Sequence, residues 1–563
     1  MKNRRLLILI TLSISLAALI LSRLTGTPAA GRTAGLLEYL VAALMAGEIV
    51  LSLRAAEYRK QYLIKNLTAV IFTAVFISLL IYQITGAGSS APHYFDITIH
   101  IARNIFLLYR LVESIRSIKI IMEKISSKPA MSILTSFQII IIFGTLLLML
   151  PFATTGDESL SFIDAWFTAT SAVCVTGLIV VDTATAFSLF GKIIILILIQ
   201  IGGLGIMIIS YFSVFIRGRR MSYNEKQRLS FAISDSDVSG ITKTVKSIIF
   251  LTFSIEAAGA LLLMAGFSIN RGFSSGTVFR SLFHSISAFC NAGFSLFSNS
   301  LENFSGNPLI IFTISALIIA GGLSFAVIFN LHDLLTKKSP RKLSLNSKVV
   351  LSWTGILLIA GMFFFYAAEH RGTLMEYRTG TQYLAAFFQS VTLRTAGFNS
   401  VSFASFGTGT IVIMCLFMFI GAASGSTAGG IKINTAAVLT AYLKSIITGS
   451  PDITIYKYQL SQTRVLKAFV IMLYGIIVIL LSAAVLSFTQ QAELKDILFE
   501  TVSAFGTVGL STGLTGKLNI TGKLIIIFLM FNGRLGPLTI LSTLSVNNEK
   551  SGIRYPQGDI AIG

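Results

Sequence analysis

Four short segments of this chain repeat one arrangement, in which a glycine follows two residues that are mostly small or β-branched. They are Val175, Thr176 and Gly177; Asn291, Ala292 and Gly293; Thr395, Ala396 and Gly397; and Thr507, Val508 and Gly509. Glycine admits backbone conformations that a side chain resists. Successive carbonyls can then face one way. Carbonyl oxygens gathered from several segments around one axis can replace the water shell of a cation. The flanking residues suit a narrow, stiff column of backbone. The glycines lie 116, 104 and 112 residues apart, a degenerate internal repeat. These twelve residues are therefore the candidate selectivity filter for a dehydrated cation, and Thr507, Val508 and Gly509 have the local pattern of a potassium-channel filter.

A second signal travels with the first. Some 24 to 28 residues after each filter glycine come Gly202 and Gly203, Gly321 and Gly322, the run 421–430, and Gly533. The first two pairs read as close helix–helix packing sites. The run 421–430 holds only Gly, Ala, Ser and Thr and should not sustain a continuous helix. Counted from a helix start near Thr408, Gly421 lies ~20 Å into the span at a rise of 1.5 Å per residue. Arg534 lies at about the same depth in the fourth repeat. An arginine there is costly unless it faces water or a partner. It is expected beside the run, and Gly421, Gly425, Gly429, Gly430, Lys432 and Arg534 form a candidate gate. Arg394 is placed to brace the third filter segment through carbonyls or a carboxylate such as Glu500.

The elements that must position these residues are membrane spans. Of 563 residues, 54% are hydrophobic and 12% charged, against roughly 25% charged in soluble domains. Apolar stretches long enough to span recur, for example at 133–150, 193–216, 349–366 and 465–486. The net charge of +20 sits in short loops between spans, the positive-inside pattern. That placement argues against a nucleic-acid partner and puts the N-terminus in the cytoplasm. Each repeat then runs out and back, with a short pore helix entering between two spans and ending at the filter segment. The expected fold is an all-α membrane protein with four span–pore-helix–span repeats around one central pore. About four extra spans precede them, twelve in all. The expected regions are 1–130 (a four-helix membrane unit), 131–230, 231–345, 346–460 and 461–563. In the first region, parity forces a charged fourth helix carrying Arg103 and Arg110, and Glu48 is expected to pair with Arg110.

The motifs resemble the Trk/Ktr/HKT superfamily of potassium transporters over roughly residues 131–545. The resemblance implies one filter glycine per repeat at Gly177, Gly293, Gly397 and Gly509, an intramembrane gating loop at 421–432, and a family arginine at Arg534. Glycine rather than serine at position 177 implies potassium; a sodium-permeable or sodium-coupled carrier is the alternative. It also implies a homodimer in the cell membrane, surrounded by lipid. A cytosolic ring of regulatory subunits would bind nucleotide, and this chain would bind no cofactor itself. An enzyme is not expected, because His93, His100, His284, His332 and His370 form no cluster of catalytic spacing. Cys174, Cys290 and Cys415 lie in apolar segments and read as buried side chains.

Overall fold

The computed structural model describes residues 28–54, 72–78, 129–156, 160–205, 241–336, 343–403 and 406–544, with four isolated positions before 72. The chain divides into two units, Met1–Ser127 and Lys128–Gly563. The first contains helix α1 (Pro28–Arg54), and Val41 and Met45 share a small core with Phe76. Glu48 is buried in α1. Arg103 and Arg110 lie outside the described residues, and with them the expected fourth helix and the Glu48–Arg110 pair.

The second unit repeats one pattern four times. A long apolar helix is followed by a short helix and then by a second apolar helix. In chain order these are α2 (Pro129–Leu148), α3 (Phe162–Val173) and α4 (Leu189–Leu204); then α5 (Ile241–Arg271), α6 (Ser275–Phe289) and α7 (Pro308–Gly322), with α8 (Phe325–Leu335) continuing α7. The third set is α9 (Leu345–Glu369), α10 (Thr379–Thr392), α11 (Thr408–Phe419) and α12 (Ile433–Ile447). A two-residue hairpin, β1 (Thr454–Ile455) with β2 (Tyr458–Gln459), leads to the fourth: α13 (Gln462–Thr489), α14 (Leu494–Gly506), α15 (Ile520–Leu535) and α16 (Pro537–Leu544).

Helix starts follow from side-chain caps that satisfy otherwise orphaned amides. Ser161 caps α3, Ser188 caps α4 and Ser274 caps α6, each accepting from the amide three residues on. Asn307 caps α7 just before Pro308, and Asn519 caps α15.

Among the described residues, α5, α9 and α13 are long and apolar enough to cross a membrane alone, and two bent pairs could each count as one more span. In the second, third and fourth repeats the second helix is shorter than the sequence suggested because it breaks in mid-course. Helices α7 and α8 meet at 104° and α15 and α16 at 95°. In the third repeat the helix stops at Phe419 and resumes only at Ile433. Local signals explain the breaks: Ser324 caps a new helix after Gly321 and Gly322, and Gly536 takes φ +80° just before Pro537.

Gly202 and Gly321 pack closely, as expected of the first two pairs, Gly533 does so as well, and the partner of each is the end of a short helix. A Cβ on Gly202, Gly321 or Gly533 would collide with the carbonyl oxygen of Val173, Phe289 or Phe505 respectively. Each is the last or next-to-last residue of α3, α6 or α14. Replacing Gly202 with Ala should therefore cost the fold about 2 kcal/mol or more, since backbone cannot yield as a side-chain tip can. A thermal unfolding curve of the detergent-purified protein checks this. Gly355→Ala, where a Cβ meets nothing within 4 Å among the described residues, should leave the midpoint in place.

Candidate ion-translocation site

The four short helices end three to five residues before Gly177, Gly293, Gly397 and Gly509. Four C-terminal helix ends, each with a partial negative charge from its aligned peptide dipoles, thus converge on one place. The segments beyond them share a backbone pattern. Val175, Asn291, Thr395 and Thr507 all take φ between +50° and +67°, although none is glycine, and Gly177, Gly293, Gly397 and Gly509 take φ of +91°, +68°, +79° and +89°. The left-handed region is unfavourable for side-chain-bearing residues. Such strain persists where the surroundings over-determine it, and it clusters at functional sites.

Those surroundings are hydrogen bonds from the preceding helix. Thr176 N, Ala292 N and Val508 N each donate five residues back, to Ser171 O, Ser287 O and Ser503 O. The third segment differs, with Ala396 N donating to Thr392 O, four residues back. Hydroxyls complete the cradle. Ser171 Oγ accepts from Gly177 N at 3.1 Å, Ser287 Oγ donates to Phe294 O at 2.8 Å, and Thr392 Oγ1 donates to Phe398 O at 2.8 Å.

The four glycines form a closed ring. A Cβ added to Gly177 would strike Ala292 O and sit 3.0 Å from Gly293 Cα. One on Gly293 would sit 2.9 Å from Ala396 O and Gly397 Cα. One on Gly397 would strike Val508 O and sit 3.2 Å from Gly509 Cα, and one on Gly509 would strike Thr176 O and sit 3.1 Å from Gly177 Cα. Segments up to 332 residues apart in the chain thus meet backbone to backbone, in repeat order. The seam between fourth and first repeats is also held by an ion pair, Lys523 Nζ on α15 to Asp164 Oδ1 on α3 at 2.6 Å.

On one side of the ring lies an open cavity of about 390 Å³, lined by all four glycines and by residues that follow them, including Asp182, Ser298, Asn299 and Glu302. On the other side lies the run 421–430. A Cβ on Gly429 would strike Thr507, and one on Gly430 would sit 3.2 Å from Gly506 Cα. The run is not a loose loop. Gly421 N donates to Ile431 O at 2.8 Å and Ile433 N to Ala422 O at 3.1 Å, closing it on itself. Ala423 N donates to Gly322 O and Gly430 N to Gly533 O, both at 3.2 Å. It is therefore stitched to the broken second helices of repeats two and four.

Arg534 joins it to the first. Its guanidinium donates to Thr427 O, to Gly202 O and, at 3.2 Å, to Gly203 O. The glycine acceptors lie at the C-terminal end of α4, where the dipole favours a cation. Lys432 Nζ turns back onto Ala428 O and, at 3.3 Å, Gly429 O. Of the six candidate gate residues, five belong to this one assembly by hydrogen bond or backbone contact, and Gly425 forms its turn at φ +78°.

Three features carry little or no signal in the sequence. Thr427, fully buried, is the hub of the run: its Oγ1 donates to Gly321 O at 2.9 Å and Phe289 O at 3.3 Å, and its N to Gly321 O at 3.2 Å. Its only mark is a hydroxyl amid glycines. The Lys523–Asp164 pair has no signal at all, and the buried Glu256 is marked only as a lone carboxylate within an apolar span. One expectation is corrected. Arg394 does not pair with Glu500, whose oxygens accept instead from Ser511 Oγ and, at 2.6 Å, Thr515 Oγ1. Glu500 thus anchors the loop after Gly509, and Arg394 Nε is buried with no hydrogen-bond partner among the described residues. Local hydroxyls reach the carboxylate first.

Comparisons with known proteins agree with this architecture. The TrkH family, described as a cation transport protein family, matches residues 104–552. The chain is 41% identical over 437 residues to the Ktr system potassium uptake protein B of Bacillus subtilis, covering 77% of this chain and 97% of that protein. It is 39% identical over 442 residues to the potassium/sodium uptake protein NtpJ of Enterococcus hirae, again with 77% and 97% covered. In three dimensions it resembles the crystal structure of the potassium transporter TrkH from Vibrio parahaemolyticus, with a TM-score of 0.57 at 19% identity, over 97% of this chain and 99% of that one. The fold is thus that of a helical membrane transporter rather than an enzyme, and the chain belongs to the TrkH family of cation transport proteins.

Proposed function

We propose that this chain takes up potassium across the cell membrane through the ring of Gly177, Gly293, Gly397 and Gly509, with the run 421–432 and Arg534 as its gate. The observation that carries the reading is the ring itself. Four strained backbone segments, each behind the negative end of a short helix, enclose one axis in repeat order. Rigid carbonyls so arranged suit a dehydrated monovalent cation. The cavity on one side supplies an entry, with Asp182 and Glu302 among its lining. The run on the other side, bridged by Arg534 to α4, supplies an obstruction that a few hydrogen bonds hold in place. The names of the relatives support potassium as cargo. One relative is named as protein B of a Ktr system, which supports a separate partner subunit here too; that subunit would carry any regulatory nucleotide. A pair of these chains is the assembly the family resemblance favours.

The direct test is growth and uptake. In a bacterial strain lacking its own potassium uptake systems, the chain should restore growth at submillimolar potassium, where leak alone does not sustain the cell. Purified and reconstituted in liposomes, it should pass potassium and rubidium in preference to sodium. Equal sodium and potassium flux, or none of either from a well-folded protein, would overturn the reading.

A further inference from the structure

Glu256 stands at the midpoint of α5 and is 2% exposed. A carboxyl group in the middle of a spanning helix is costly, and such groups mark function more often than packing. Among the described residues no lysine or arginine forms an ion pair with it. Its two side-chain oxygens accept from a single amide, Gln200 Nε2 on α4, at 3.0 and 3.1 Å. The pair therefore bridges the second helix of the first repeat and the first helix of the second.

The same pair abuts the filter segment of the second repeat. Cys290, the residue just before Asn291, is fully buried. Its Sγ lies 3.9 Å from Glu256 Oε1 and 3.8 Å from Gln200 Oε1. The short helix α6 is tied to the same turn of α5, because Ser285 Oγ donates to Glu256 O at 2.6 Å. From the α4 side, a Cβ on Gly203 would collide with Cys290 Sγ, so no slack separates α4 from the segment. Immediately after Cys290 comes the strained stretch with Asn291 at φ +58° and Gly293 at φ +68°. That stretch touches the ring on both sides: Ala292 O faces Gly177, and Gly293 faces Gly397. A shift of the segment therefore moves two of the four ring contacts at once.

We propose that the Gln200–Glu256 pair is a positioning device for residues 291–293 and thereby sets which monovalent cation the ring prefers. The inference rests on reading the four glycines as a potassium filter. What matters is the hydrogen bond across the seam between repeats, which holds Cys290 from behind. A neutral acceptor of the same shape serves as well, and the two partners can exchange roles.

Full-length variants reconstituted in liposomes test this through the potassium-to-sodium uptake ratio. Glu256→Gln retains an acceptor for Gln200 and should keep the ratio within about twofold of the original, whereas Glu256→Leu leaves a buried amide unpaired and should lower it about tenfold. Gln200→Glu sets two carboxyl groups together and should show a similar loss. The exchange Gln200→Glu with Glu256→Gln should recover the ratio. An exchange variant no better than Gln200→Glu alone, or a Glu256→Gln as impaired as Glu256→Leu, overturns the proposal. A second readout needs no transport. In a Cys174→Ser, Cys415→Ser background, Cys290 should resist a small methanethiosulfonate reagent in the original and in Glu256→Gln but react in Glu256→Leu. A parent chain without potassium flux would count against the filter reading; a Cys290 that stays unreactive in Glu256→Leu would count against this one.

Discussion

A Gly177→Ser chain is expected to lose most of its preference for potassium over sodium, the uptake ratio falling about tenfold or more, equivalent to roughly 1.4 kcal/mol or more. Two independent effects act there. The residue sits at φ +91°, where a side chain costs about 1–2 kcal/mol. Its Cβ would also strike Ala292 O and lie 3.2 Å from Ala292 C, so a carbonyl of the neighbouring segment must turn away. Because the glycines touch in a ring, the displacement cannot stay within one repeat. The measurement is competitive uptake of the two ions by cells or liposomes carrying equal amounts of folded protein. Gly355→Ser serves as the control, since its Cβ meets nothing within 4 Å among the described residues. A Gly177→Ser chain with unchanged uptake and unchanged sodium exclusion would remove this ring from the selectivity mechanism.

Arg534→Ala should act in the opposite direction and raise the flux severalfold in liposomes that contain no partner protein. The guanidinium is the tie between Thr427 O on the run and the carbonyls of Gly202 and Gly203 on α4. Hydrogen bonds from a charged donor contribute about 1.5–3 kcal/mol each, so their loss shifts a closed-to-open equilibrium by a factor of about ten or more. The run keeps its bonds to Gly321, Gly322 and Gly533, which limits the effect to partial release. Deleting several residues of 421–430 should raise flux further, because it removes Thr427 and its bonds to the second repeat as well. A pair of variants that fold normally and yet lose all flux would make the run a structural strut, not an obstruction.

The arrangement of the short helices was legible in the chain because it is a local property written four times. A glycine at φ above +60°, an apolar stretch on each side and a short polar-flanked helix before it are decided by neighbours in sequence. So is the interruption between Phe419 and Ile433, since Gly, Ala, Ser and Thr alone supply neither helix propensity nor an apolar face. The breaks at Leu323 and Gly536 were carried by equally local signals, a serine cap and a proline, that the apolar character of the surrounding spans obscured.

The chain by itself therefore determined a membrane protein of four like repeats, the place of each strained glycine segment and the interruption between Phe419 and Ile433. Tertiary structure decided which groups those segments meet. Arg534 finds carbonyls at the end of α4, some 332 residues away. Lys523 finds Asp164 across 359 residues because the fourth repeat closes on the first. Glu500 takes Ser511 and Thr515 and not Arg394, and Glu256 takes Gln200 across 56 residues. The reason is physical: hydropathy and backbone propensity depend on adjacent residues, whereas a buried polar group bonds to whatever donor or acceptor the packing of distant helices leaves unsatisfied beside it.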